Sequence, residues 1–83
     1  METNKIESLE DRQILFAVLA IEEGAKKLGI TPSEMCERIE KQDLLRSRLI
    51  AHYYLLHTQS LSYVGDDIVE TLLNYEKRMI INE

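Results

Sequence analysis

Eighty-three residues make one domain, and a domain this short buries only about 60–65% of the surface its unfolded chain exposes, so most of its apolar residues must serve a single core. A chain that is 45% hydrophobic and 30% charged is not a disordered segment, and its longest apolar run, Ile14–Ile21, falls far short of the roughly 20 residues that cross a bilayer. The net charge of −5 sits at the two ends, with six acids against four bases over 1–30, four against four over 31–60 and five against two over 61–83, which disfavours a phosphate backbone as ligand.

Three glycines and one proline are too few for a turn-rich β fold, and the periodicity predicts an all-α single domain, 1–83, with residues 1–8 frayed. The first helix is expected from a cap at Ser8 to Leu28, with Lys26 and Lys27 at its negative end and Gly29 just beyond. The stretch Ile14–Ile21 is apolar on every face, so the other helices must wrap it or part of it must meet a second protein.

Thr31-Pro32-Ser33-Glu34 is the sharpest local signal. Thr31 is suited to be the N-cap, Pro32 to the first helical position and Glu34 to closing a capping box. The short second helix should turn Met35 and Ile39 inward, with Cys36 at the border. Asp43 is expected to cap a third helix carrying Leu45, Leu49, His52, Tyr53 and Leu56 on one stripe and ending near 57–60. Leu61–Val64 reads as irregular or extended, and Gly65 and Asp66 as the start of a fourth helix with a stripe of Ile68, Val69, Leu72, Leu73, Tyr75, Met79 and Ile80. The result is a compact four-helix bundle with a helix-turn-helix-like corner, in which Leu15, Val18, Leu19, Leu49, Tyr53, Ile68 and Leu72 are expected to be buried.

Catalytic and metal constellations are hard to find. No C-x-x-C, H-E-x-x-H, EF-hand loop or glycine-rich phosphate loop is present, so no metal site and no cofactor is expected. His52 and His57 are five residues apart, about 140° around a helix, and do not share a face well. His52 suits a hydrogen-bonded place at the core edge, and His57 a helix end. Cys36 has Glu34, Glu37 and Glu40 nearby, whose field raises a thiol's pKa and makes it a poor nucleophile. Asp66 and Asp67 are explained by the positive end of a helix dipole. The chain is therefore expected not to be an enzyme.

The segment Ala25–Met35 has the outline of a helix-turn-helix. Its would-be recognition helix, however, presents Glu34, Glu37 and Glu40 against Arg38 and Lys41, and carboxylates facing phosphate are repelled. Packing is the better reading of that corner, and a DNA-binding regulator is the alternative function. The loop His57-Thr58-Gln59-Ser60 has more to offer. It concentrates an imidazole, a hydroxyl and an amide between two apolar helices, with Tyr53, Tyr54 and Tyr63 around it. His57, Thr58, Gln59, Tyr63, Asp66 and Asp67 are therefore expected to form one partner-binding patch.

Tyr54-Leu55-Leu56-His57-Thr58-Gln59, followed by Tyr63-Val64 and Asp66-Asp67-Ile68, resembles a family of short bacterial proteins catalogued only as a domain of unknown function, number three-seven-nine-one. The Pro32-Ser33-Glu34 cap is similar to that family too, and Ser60 stands where the family commonly has Gly. The resemblance covers roughly residues 10–75. It implies company with proteins resembling ADP-ribosyltransferases, encoded alongside, and hence an antitoxin or regulatory role.

The function expected is that of a small protein-interaction module whose partner is a protein, ADP-ribosyltransferase-like on the strength of the resemblance, or a second copy of the chain. Nucleic acid and membrane are not expected partners. With a single cysteine, and no cationic leader ahead of an apolar stretch, the cytoplasm is the expected compartment.

Overall fold

Helix α1 (Leu9–Leu28) ends at the glycine the sequence marks. Gly29 adopts φ +72°, its N–H donates to the Lys26 carbonyl at 3.2 Å, and the Ile30 N–H donates to the Ala25 carbonyl at 3.0 Å. These are the two bonds of a Schellman motif, and glycine adopts that left-handed conformation without a Cβ penalty. Helix α2 (Pro32–Lys41) begins on the expected capping box. The Glu34 N–H donates to Thr31 Oγ1 at 3.1 Å, and the Thr31 N–H donates to Glu34 Oε1 at 3.0 Å. Met35 and Ile39 are fully buried and Cys36 lies at the core edge, as expected. The structure, a computed structural model, describes residues 9–82, with side chains over 9–78. The Ser8 cap, the frayed 1–8 segment and the side chains of Met79 and Ile80 lie outside those residues.

The third predicted helix forms in two pieces. A π-helical segment, Leu45–Ile50, is followed by a single turn, α3 (Tyr53–Leu56). In the π segment the Ala51 N–H reaches the Arg46 carbonyl five residues back, at 3.1 Å. Its cause can be read from what is buried: Leu44 and Leu49 are both inside and five residues apart, a spacing that the wider π turn brings to one side. Leu49, Tyr53 and Leu56 are buried as expected, whereas Leu45 and His52 are only half-buried. Asp43 is not the expected cap. It has φ +58° and its N–H donates to the Glu40 carbonyl at 3.0 Å, so it closes α2 as a left-handed terminator. Its own carbonyl receives the Ser47 hydroxyl at 2.7 Å.

Helix α4 runs over Leu61–Asn82, so the start expected at Gly65 is four residues late. Ser60 caps it, accepting the Tyr63 N–H on Oγ at 3.0 Å and the Val64 N–H on its carbonyl at 3.0 Å. Gly65 is an interior residue of α4. A Cβ there would lie 2.5 Å from Glu23 Cγ and 2.8 Å from Lys27 Cε, so its absence lets the side chains of α1 lie across α4.

Helix α1 is central, packing on α4, α2 and the π segment. The face it uses is not the one expected. Ala17, Ala20, Ile21, Gly24 and Ala25 are buried, while Leu15, Val18 and Leu19 are exposed. Small residues let helix backbones approach closely, and a segment apolar all round offers its small-residue stripe to the core. The other expected core residues, Leu49, Tyr53, Ile68 and Leu72, are buried, joined by Leu44 and Val64. The architecture is all-α, with no strand among the described residues.

Candidate functional site

The π segment, α3 and the first turns of α4 enclose a cleft of about 230 Å³ lined by Arg48, His52, Leu55, Leu56, Gln59, Tyr63 and Asp67. An ion pair forms one of its walls. Arg48 Nε donates to Asp67 Oδ2 at 3.0 Å and Nη2 to Oδ1 at 2.6 Å, a bidentate fork joining the π segment to α4. The hydrogen bond to Asp67 holds the Arg48 guanidinium's pKa above its ordinary value, while burial pulls the other way. The π turn sets the direction of Arg48 by carrying it on the segment that buries Leu44 and Leu49.

His52 is held beside Arg48, its ring Nδ1 3.2 Å from the Arg48 carbonyl, which is the core-edge role expected of it. Leu55 and Tyr63 keep 69% and 52% of their surface in water, so an apolar and an aromatic side chain stand on the rim of a polar cleft. Tyr54, next to Leu55 on α3, is equally open to solvent at 66%.

Three of the six residues expected in one patch line this cleft: Gln59, Tyr63 and Asp67. The other three have separate places. His57 stacks on Tyr53, with ring centroids 4.4 Å apart and planes 9° apart, at the C-terminal end of α3. Thr58 Oγ1 donates to the Leu55 carbonyl at 3.0 Å, capping that turn. Asp66 pairs with Lys27 of α1 at 3.1 Å, where Lys27 also donates to Ser62 Oγ at 3.1 Å. Because α4 starts at Leu61, Asp66 and Asp67 sit in its second turn, and the first-turn dipole role expected for them does not apply. Adjacent helix positions point about 100° apart, and each carboxylate instead ties α4 to a different neighbour.

Arg48 and His52 were not among the expected site residues. His52 was assigned to the core edge and Arg48 to no role, since nothing local shows that a π turn aims the arginine at a carboxylate 19 residues on.

The remaining reactive groups stand apart from the cleft. Cys36 is on α2, where burial, then the charges of Glu40 and Glu37 with a Glu40 hydrogen bond, push the thiol's pKa up. Arg38 forks onto Glu76 of α4, Nε to Oε2 at 2.7 Å. That hydrogen bond, helped by the charges of Arg38 and Lys41, holds the Glu76 carboxyl below its ordinary value against the effect of burial. Among the described residues no group of three or more His, Cys, Asp or Glu is placed to hold a metal ion, and no helix is long and apolar enough to cross a membrane.

No curated protein and no solved structure matches the chain. The model of one family, described as "Protein of unknown function (DUF3791)", matches residues 15–74, most of the chain, and the chain therefore belongs to that family.

Proposed function

We propose that the chain is a protein-interaction module whose docking surface is the rim of the Arg48–Asp67 cleft. One observation carries this reading: Leu55 and Tyr63, with Tyr54 alongside, are exposed around a cleft walled by a satisfied ion pair. Exposed aromatic and apolar anchors around a polar centre suit a protein partner, because tyrosine contributes large contact area at low entropic cost. A cleft of about 230 Å³ is also smaller than the roughly 300–1,000 Å³ of typical small-molecule sites. The partner we assign is an ADP-ribosyltransferase-like protein encoded beside this chain, making it an antitoxin or regulatory subunit. This assignment rests on the family's resemblance alone.

The DNA-binding alternative draws support from the α1–turn–α2 corner. Against it, α2 exposes Glu34, Glu37 and Glu40, and its Arg38 is engaged with Glu76.

The test is co-purification and calorimetric titration with the neighbouring gene product. Gln59→Ala and Tyr63→Ala should each weaken the complex by more than about 1 kcal/mol while the free variants melt within a few degrees of wild type. Asp67→Ala is a poor probe, since it strands Arg48 and lowers stability by itself. Variants of Gln59 and Tyr63 that fold normally and bind as wild type would remove the cleft rim from consideration.

A further inference from the structure

The face of α1 turned away from the core carries four large aliphatic side chains that the described residues leave largely uncovered. Ile14, Leu15, Val18 and Leu19 keep 52%, 59%, 45% and 39% of their surface exposed. Leu15 and Leu19 each stand about 160° around the helix from Ala17, which is buried. Contiguous apolar surface of this kind on a small protein marks a contact site.

The charges on that face favour one kind of occupant, a second copy of the chain. Arg12, Leu15, Leu19, Glu22 and Lys26 follow one another at alternating spacings of three and four residues, the spacing of a helix–helix seam. From Arg12 to Glu22 the order is base, Leu, Leu, acid. That order is complementary to its own reverse. When a second α1 is laid antiparallel across the first, with the two-fold axis level with Ala17, Leu15 meets Leu19 of the second copy and Arg12 meets Glu22 of the second copy. Symmetry makes each contact twice, as an isologous interface requires. The helix dipoles also run in opposition, which is favourable. Ile14 and Val18 flank the seam, and on Ile14's side the apolar surface continues into a hollow of about 340 Å³ that Leu45 and Ile50 also line.

We infer that the chain forms a two-fold homodimer through an antiparallel α1–α1 pair, with Leu15 and Leu19 at its centre and Arg12–Glu22 pairs at its ends. The inference is independent of the docking cleft, which shares no lining residue with this face, and its test needs no partner protein.

Sedimentation equilibrium of the full chain alone, from micromolar to sub-millimolar concentration, should show a monomer–dimer equilibrium. Leu15→Glu should weaken the dimer at least about 100-fold, since two carboxylates would be buried against apolar surface. Arg12→Glu and Glu22→Arg should each weaken it roughly ten-fold, and the double swap should restore it to within about three-fold of wild type. Both swaps suit the α1 dipole, with a carboxylate near the N-terminus and a cation toward the C-terminus, so the monomer should fold, as circular dichroism would verify. A wild-type chain that stays monomeric throughout overturns the inference. A dimer indifferent to Leu15→Glu, or a double swap no tighter than either single one, overturns it equally.

Discussion

Two arginine forks join distant elements of this protein, and the one between Arg38 and Glu76 makes stability depend on pH. Glu76, hydrogen-bonded by Arg38, has its pKa lowered in the folded state. The pair therefore contributes stability that is fully present above the unfolded carboxylate value, about 4.3, and is lost as pH falls through the folded value. Its size is modest, about 0.5–1 kcal/mol, because the two side chains keep 35% and 27% of their surface in water. Glu76→Gln should melt below wild type at neutral pH, and the gap should shrink as the pH falls below about 4.3. Thermal melts of both proteins across that range measure it, and a gap independent of pH would contradict the role given to the fork. Residue identity alone suggested part of this scale. The thiol of Cys36 is raised in the direction its acidic neighbours implied, although burial is the larger cause. The Thr31–Glu34 box is local chemistry, read from four consecutive residues and found as read.

The elements differ in how far they could be anticipated. The ends of α1 and α2 facing the first turn were legible, because Gly29, Thr31 and Pro32 have strong local preferences. The π segment was not, since a stripe at spacings of three and four fits an α-helix equally well until Leu44 is known to be buried together with Leu49. The start of α4 was hidden by Tyr63, Val64 and Gly65, poor helix formers that Ser60's cap and packing on α1 override. Burial then decides what each leucine contributes. Leu49→Ala should destabilise by about 2–5 kcal/mol, because Leu49 is fully enclosed and its removal leaves a cavity. Leu15→Ala should change stability by less than about 0.5 kcal/mol in dilute solution, since its side chain is mostly in water. Urea denaturation of the two variants gives the comparison, and equal losses would mean that α1 uses the face first expected of it.

For the molecule as a whole, net charge and its placement govern what can be bound. The chain carries −5, and Arg38, Arg48 and Lys27 are each committed to carboxylates of α4. At moderate salt the protein alone should show no affinity for duplex DNA tighter than about 10⁻⁵ M, because too few cations face one way to release counterions. Fluorescence anisotropy with labelled duplexes is sufficient, and a salt-dependent nanomolar complex would restore the regulator reading of the α1–α2 corner.

The all-α class, the central place of α1, the α2 cap and the cleft residues Gln59, Tyr63 and Asp67 were present in the sequence, since each follows from periodicity, capping chemistry or a local cluster of polar and aromatic groups. Tertiary structure alone decided three things: that α1 buries its small residues and leaves Leu15, Val18 and Leu19 outside, that a π turn carries Arg48 to Asp67, and that His57, Thr58 and Asp66 leave the patch for separate tasks. The physical reason is common to all three. A helix apolar on every side, a five-residue repeat and a pair of adjacent carboxylates each allow more than one arrangement of similar local energy. The choice among them falls to contacts between residues far apart in the chain.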